Sequence, residues 1–153
     1  MERWIHKSVL VSAPPARAWW AWTTPAGVRS FFAPQARLEI RAGGPYEMLF
    51  DLEAPPGSQG GEGCRVLCFV PGEVLCFTWN APPHLDQVRD LHTFVVVRFQ
   101  PEGEGTRVTL DHGGFGEGGQ WPDTVTYFQR AWGIVLDRLQ RSLVSGPLDW
   151  EAE

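Results

Sequence analysis

The sequence lacks what a membrane span, a signal peptide or a nucleic-acid binder would need. No apolar run approaches the ~20 residues that cross a bilayer. Residues 1–10 alternate polar and apolar side chains, with no apolar block of the signal-peptide kind. Basic residues are outnumbered, 13 against 18 acidic, for a formal net charge of −5. A non-specific nucleic-acid or anionic-membrane binder would be basic, so both classes are disfavoured. Lys7 is the single lysine. Cysteine is scarce as well. Cys64, Cys68 and Cys76 match no zinc signature and read as reduced cysteines on strands of a cytoplasmic protein.

Familiar catalytic patterns are also missing. There is no GxSxG elbow, no HExxH and no P-loop. The carboxylates Glu47, Asp51 and Asp111 fall on faces that alternation directs outward, so no acid–base pair is visible. His84, Asp86, Asp90 and His92 share one loop, but their spacing fits no closed metal site. Residues 114–119 (GFGEGG) match GxGxxG between a strand and a helix. A dinucleotide site needs a parallel strand after that helix, and here the helix runs to about residue 144 of 153. The run reads as a flexible connection. No metal and no cofactor is expected.

What the chain does have is turns and large rings. It carries 17 Gly and 13 Pro, with eight Trp, nine Phe and two Tyr. Leu, Ile, Val and Phe make up about a quarter of it, enough for a packed core. At 153 residues it is one domain's worth.

Residues 2–12 read as a strand. Pro14-Pro15 opens a short helix to about Trp22, and Thr24 caps a second that reaches Phe31-Phe32. From Gln35 the period becomes two: Ala36, Leu38 and Ile40, then Tyr46, Met48 and Phe50, point one way. Residues 53–63 and 80–89 read as mobile loops. Strands 64–70 and 74–79 meet at Pro71-Gly72-Glu73, and strands 91–100 and 106–115 meet across 101–105. On that second hairpin Leu91, Thr93, Val95, Val97 and Phe99 share a face, opposite Val108, Leu110 and His112.

A long helix runs from Pro122 to Ser145, ended by Gly146-Pro147. Val125, Phe128, Trp132, Val135, Leu136, Leu139 and Leu143 form its apolar stripe; Tyr127, Ala131 and Ile134 widen it. Strands and helices are segregated, which is an α+β order. A curved antiparallel sheet around that single helix is expected.

Several stretches resemble one family. Residues 11–25 (VSAPPARAWWAWTTP), 44–47 (GPYE), 65–79 (RVLCFVPGEVLCFTW) and 97–115 (VRFQPEGEGTRVTLDHGGF) look like successive motifs of the activator of Hsp-90 ATPase homologue family. The resemblance covers about residues 5–144. Ala18, Phe31 and Gly72 depart from the family's usual Val, Trp and Pro. It implies the START-like helix-grip fold of the SRPBCC superfamily, whose members bind lipids, sterols or aromatic polyketides.

The expectation is a cavity between sheet and helix for an apolar or aromatic small molecule. Its walls would be Phe31, Tyr46, Met48, Phe50, Trp79, Val95, His112, Phe128 and Trp132. His112 is either a satisfied core histidine or a polar group of that pocket. Two other readings stay open: a cyclase-like enzyme with His112 as acid or base, and a chaperone-cofactor-like module with a protein partner. Both monomer and homodimer are compatible with the sequence.

Overall fold

A computed structural model describes residues 3–152. The order is β1 (Ile5–Val11), α1 (Pro15–Thr23), α2 (Pro25–Phe31), β2 (Gln35–Leu38), β3 (Tyr46–Leu49), β4 (Val66–Val70), β5 (Val74–Trp79), β6 (Thr93–Glu102), β7 (Gly105–Gly113) and α3 (Trp121–Ser145). This is the expected α+β helix-grip order. The main sheet is antiparallel, with strand order β1-β7-β6-β5-β4. β2 and β3 form a separate two-stranded ladder. Isolated bridges Pro45↔Arg65 and Leu49↔Gly60 tie that ladder to the chain before β4.

Several strand boundaries differ from the sequence reading. The β6–β7 hairpin is tighter than expected: pairing continues to Glu102↔Gly105, leaving only Gly103 and Glu104 in the turn. At its other end β6 starts at Thr93, and Leu91 is exposed before the strand. β3 ends at Leu49, so Phe50 lies beyond the alternation that was to direct it inward.

α3 lies on the inner face of the sheet. Its 25 residues span about 37 Å at 1.5 Å per residue. Phe128, Trp132, Val135, Leu136 and Leu139 are buried, one stripe at helical spacing. They meet Val95, Val97, Phe99, Val108 and Leu110 of the β6–β7 hairpin in one core.

Thr24 joins the two short helices. Its hydroxyl donates to the Trp20 carbonyl at 2.9 Å, closing α1, and accepts from the Gly27 N–H at 2.9 Å, opening α2. The turn is so close that a Cβ on Gly27 would collide with the Trp20 carbonyl oxygen and the Ala21 backbone. Gly27→Ala should therefore destabilise the domain by about 1–3 kcal/mol or more, as overpacking does. Urea unfolding measures this; a neutral result would show that α1 and α2 move apart freely.

Candidate functional site

The site begins with a chain of hydrogen bonds in the core. The Trp132 indole N–H donates to His112 Nδ1 at 2.9 Å. That leaves the ring proton on Nε2, which lies 2.6 Å from Thr93 Oγ1 and donates to it. The Thr93 hydroxyl in turn donates to the Trp79 carbonyl at 3.1 Å. Helix α3, strand β7, strand β6 and strand β5 are thereby linked. His112 is fully buried, against Phe115 at 4.5 Å and Phe128 at 4.8 Å between ring centroids. Burial pushes its pKa down to about 3. The ring is neutral and both nitrogens are engaged. This is the satisfied core histidine of the two readings, and the acid–base role considered for it has no free lone pair or proton to use.

Above this chain the inner face opens into a cleft of about 390 Å³. Its floor is aromatic. Trp79 and Trp132 lie 5.6 Å apart, and Phe32 sits 5.6 Å from Trp79 and 5.8 Å from Trp132. Phe50 closes one side, 6.5 Å from Trp79. Tyr127, Phe128, Ala131, Ile134 and Val135 of α3 form the opposite wall. Tyr127 and Ile134 are 40% and 42% exposed, so they form the rim and not the core.

The two loops expected to be mobile frame this cleft, and both are tied down. Glu62 organises the first. Its carboxylate accepts from the backbone N–H groups of Gly57, Gln59 at 3.0 Å and Gly60 at 2.7 Å. Arg89 joins the loops. Its guanidinium donates to the Ala81 carbonyl, to Gly57 at 2.7 Å and to Gly60 at 2.9 Å, and stands 3.6 Å from Glu62. Asn80 adds a bond to the Gly60 carbonyl at 3.0 Å. The second loop buries Leu85 and Val88 beside Trp121, and Gln120 accepts from the Gln87 N–H at 2.9 Å. Turn-rich composition does not reveal such long-range polar contacts.

Of the nine residues expected on the cavity wall, Phe50, Trp79, Phe128 and Trp132 line the cleft. Phe50 does so from a position 44% exposed, at the mouth. The structure places Phe31, Tyr46, Met48, Val95 and His112 elsewhere: all five are fully buried beneath the floor. Phe31 packs on Trp22 at 5.1 Å. Tyr46 stacks near Phe77 at 4.4 Å, and its hydroxyl donates to the Trp22 carbonyl at 2.8 Å. Burial raises the Tyr46 pKa well above its ordinary value, so the phenol stays neutral. Val95 is sealed between His112 and Phe77 on neighbouring strands.

Among the lining residues missed are Phe32, Asn80, Arg89, Tyr127, Ala131 and Ile134. The last three carried a signal, because they widen the apolar stripe of α3 beyond what one core needs.

Other motifs resolve simply. Gly116 packs so closely on Trp121 that a Cβ would strike the indole, which accounts for glycine there without a nucleotide. Among the described residues no three His, Cys, Asp or Glu side chains gather as a metal site. Among the described residues no helix is long and apolar enough to cross a membrane.

The family model of the Activator of Hsp90 ATPase homolog 1-like proteins matches residues 12–143, and the chain belongs to that family. No curated protein matches the sequence. The solved structures similar to this chain include three that differ in kind. MLL2253 from Mesorhizobium loti is 23% identical, with TM-score 0.73, over 95% of this chain and 100% of that one. The Aha1 dimer from Colwellia psychrerythraea is 18% identical, with TM-score 0.74, over 94% and 98%. DynU16, from the dynemicin biosynthetic locus, is 22% identical, with TM-score 0.70, over 94% of this chain but only 48% of that one. At these identities the likeness is one of fold.

His112 titrates near 6.5 in the unfolded chain and near 3 in the fold. Below pH ~6.5 the unfolded chain binds a proton that the native state refuses, so this contribution to stability falls with acidification, by about 1.4 kcal/mol per pH unit. Above pH ~6.5 it is constant. His112→Gln should remove that part of the slope in urea unfolding measured from pH ~6.5 down to pH ~4, and lower stability at neutral pH by about 1–3 kcal/mol through broken bonds. An unchanged acid slope would contradict the buried neutral ring. Val95→Trp should cost about 1–3 kcal/mol or more, because the site is closed. At roughly 2–4 °C per kcal/mol that is a drop of several degrees in Tm, readable by calorimetry.

Proposed function

We propose that this member of the Activator of Hsp90 ATPase homolog 1-like family binds an apolar or aromatic small molecule in the cleft between α3 and the two loops. One observation carries the reading. The floor and walls present Phe32, Phe50, Trp79, Tyr127 and Trp132 to an open space, while the nearby charges of Arg89 and Glu62 are spent on loop backbone. Small-molecule sites have this character, about 300–1,000 Å³ of mostly apolar lining with a few polar groups. The cleft, at about 390 Å³, suits a compact ligand of a few rings. The satisfied His112 leaves the cyclase reading without its acid or base. The protein-interaction reading called for a collapsed cavity with an apolar patch. Here the exposed Phe50, Tyr127 and Ile134 line an open one.

The test uses N-phenylnaphthylamine, whose fluorescence rises in apolar surroundings. The wild type should bind it saturably. Ala131→Trp fills the cleft from a half-buried position and should abolish binding, with stability changed by no more than about 0.5 kcal/mol, as for most non-core substitutions. Absence of saturable binding to the wild type, or equal binding by Ala131→Trp, overturns the proposal.

A further inference from the structure

Three features outside the cleft bear chemistry. The His6–Asp111–Arg98 cluster on the outer sheet face is an exposed ion-pair group, with His6 Nδ1 2.6 Å and Arg98 Nη1 3.3 Å from the carboxylate. The Trp22 indole N–H is buried without a hydrogen-bond partner, and Trp22 is not among the residues that line the cleft. The third feature, a pair of thiols, goes furthest, and it is independent of the proposed ligand site.

Cys68 on β4 and Cys76 on β5 are direct partners across the antiparallel ladder. Directly opposite residues carry their Cβ atoms on the same face, about 4.5–5.5 Å apart. That face is the outer one: Leu75 and Phe77, on either side of Cys76, are buried, while Cys76 is half-buried and Cys68 exposed. A disulfide needs Cβ atoms about 3.5–4.5 Å apart, so the strands must draw together slightly. They have room to do so. A register irregularity interrupts the ladder between Val66 and Cys68, and β4 is an edge strand. Disulfides formed under such strain are the readily reduced kind.

We propose that Cys68 and Cys76 form a modification site, a cross-strand dithiol that peroxides oxidise reversibly to a disulfide. The exposed Cys68 sulfur, as thiolate, attacks a peroxide oxygen. The O–O bond breaks; with hydrogen peroxide the leaving hydroxide takes up the proton that the Cys68 thiol gave up and departs as water, and Cys68 becomes a sulfenic acid. The Cys76 sulfur then attacks Cys68. An S–S bond forms, the S–O bond breaks, and the Cys76 proton leaves in a second water. In sum, two thiols and one peroxide give one disulfide and two waters. Cys76 is the resolving thiol: burial, then the neighbouring Cys68, hold its pKa up at about 11, whereas the sheet holds it against the sulfenic acid it must trap. Cys64 takes no part. It is fully buried, and burial pushes its pKa up to about 12.

Trypsin cuts after Arg65 and Arg89 and puts both cysteines in the fragment 66–89, apart from Cys64. The folded protein is treated with stoichiometric hydrogen peroxide, alkylated and digested. The expected result is a fragment lighter by two hydrogens, unalkylated, and restored by dithiothreitol. Cys76→Ser should instead leave Cys68 as a sulfenic acid that dimedone captures, and Cys68→Ser should stay unmodified. Dimedone capture as strong in the wild type as in Cys76→Ser, or sulfinic acid at Cys68 with Cys76 still alkylated, overturns the proposal. Because the readout is covalent mass, it does not depend on whether the cleft binds a ligand.

Discussion

The position of α3 on the sheet depends on the chain Trp132–His112–Thr93–Trp79. A helix laid on an apolar sheet by packing alone has several registers of similar energy. Hydrogen bonds are directional and distinguish them. Each contributes only about 0.5–1.5 kcal/mol net, but a shifted register would strand buried donors and acceptors at about 1–3 kcal/mol each. The chain therefore specifies place more than it adds stability. Its two end residues, Trp79 and Trp132, are also the centre of the cleft floor. The bonds that hold the helix thus set the shape of the surface above them.

A second polar system holds the cleft open. Irregular backbone around an apolar space carries N–H and C=O groups that need partners. Glu62 supplies the acceptors for one loop, and Arg89 supplies the donors that join it to the other. A largely buried Arg and Glu are costly to desolvate, and many short bonds are needed to offset that. Here they are present. The charges are used along the rim, and the interior is left to rings.

Much of the architecture was legible in local chemistry. Thr24-Pro25 set the start of α2, Gly146-Pro147 the end of α3, and alternation over 93–99 the inner face of β6. The cleft was less legible because period two separates inward from outward but cannot tell an inward residue that meets a neighbour from one that meets a void. Tyr46, Met48 and Val95 point inward and are sealed; Phe50 breaks the alternation and reaches the mouth. Glu62 and Arg89 sat in segments read as mobile, because their partners lie up to 32 residues away. His112 stood between two readings that only its neighbours Trp132 and Thr93 could separate.

The width of the apolar stripe on α3 carries the remaining information. At 100° per residue, Tyr127, Ala131 and Ile134 cluster on one flank, beside the core line of Phe128, Trp132, Val135 and Leu139. A helix that only filled a core would keep polar groups on that flank. Gln129 and Arg130, elsewhere on the same turn, are exposed and polar as expected. Burial does not require apolar character at positions 127 and 134, which remain 40% and 42% exposed. What they share is the cleft. In a sheet wrapped around one helix, apolar residues beyond the width of the core line mark the side on which the grip is left open.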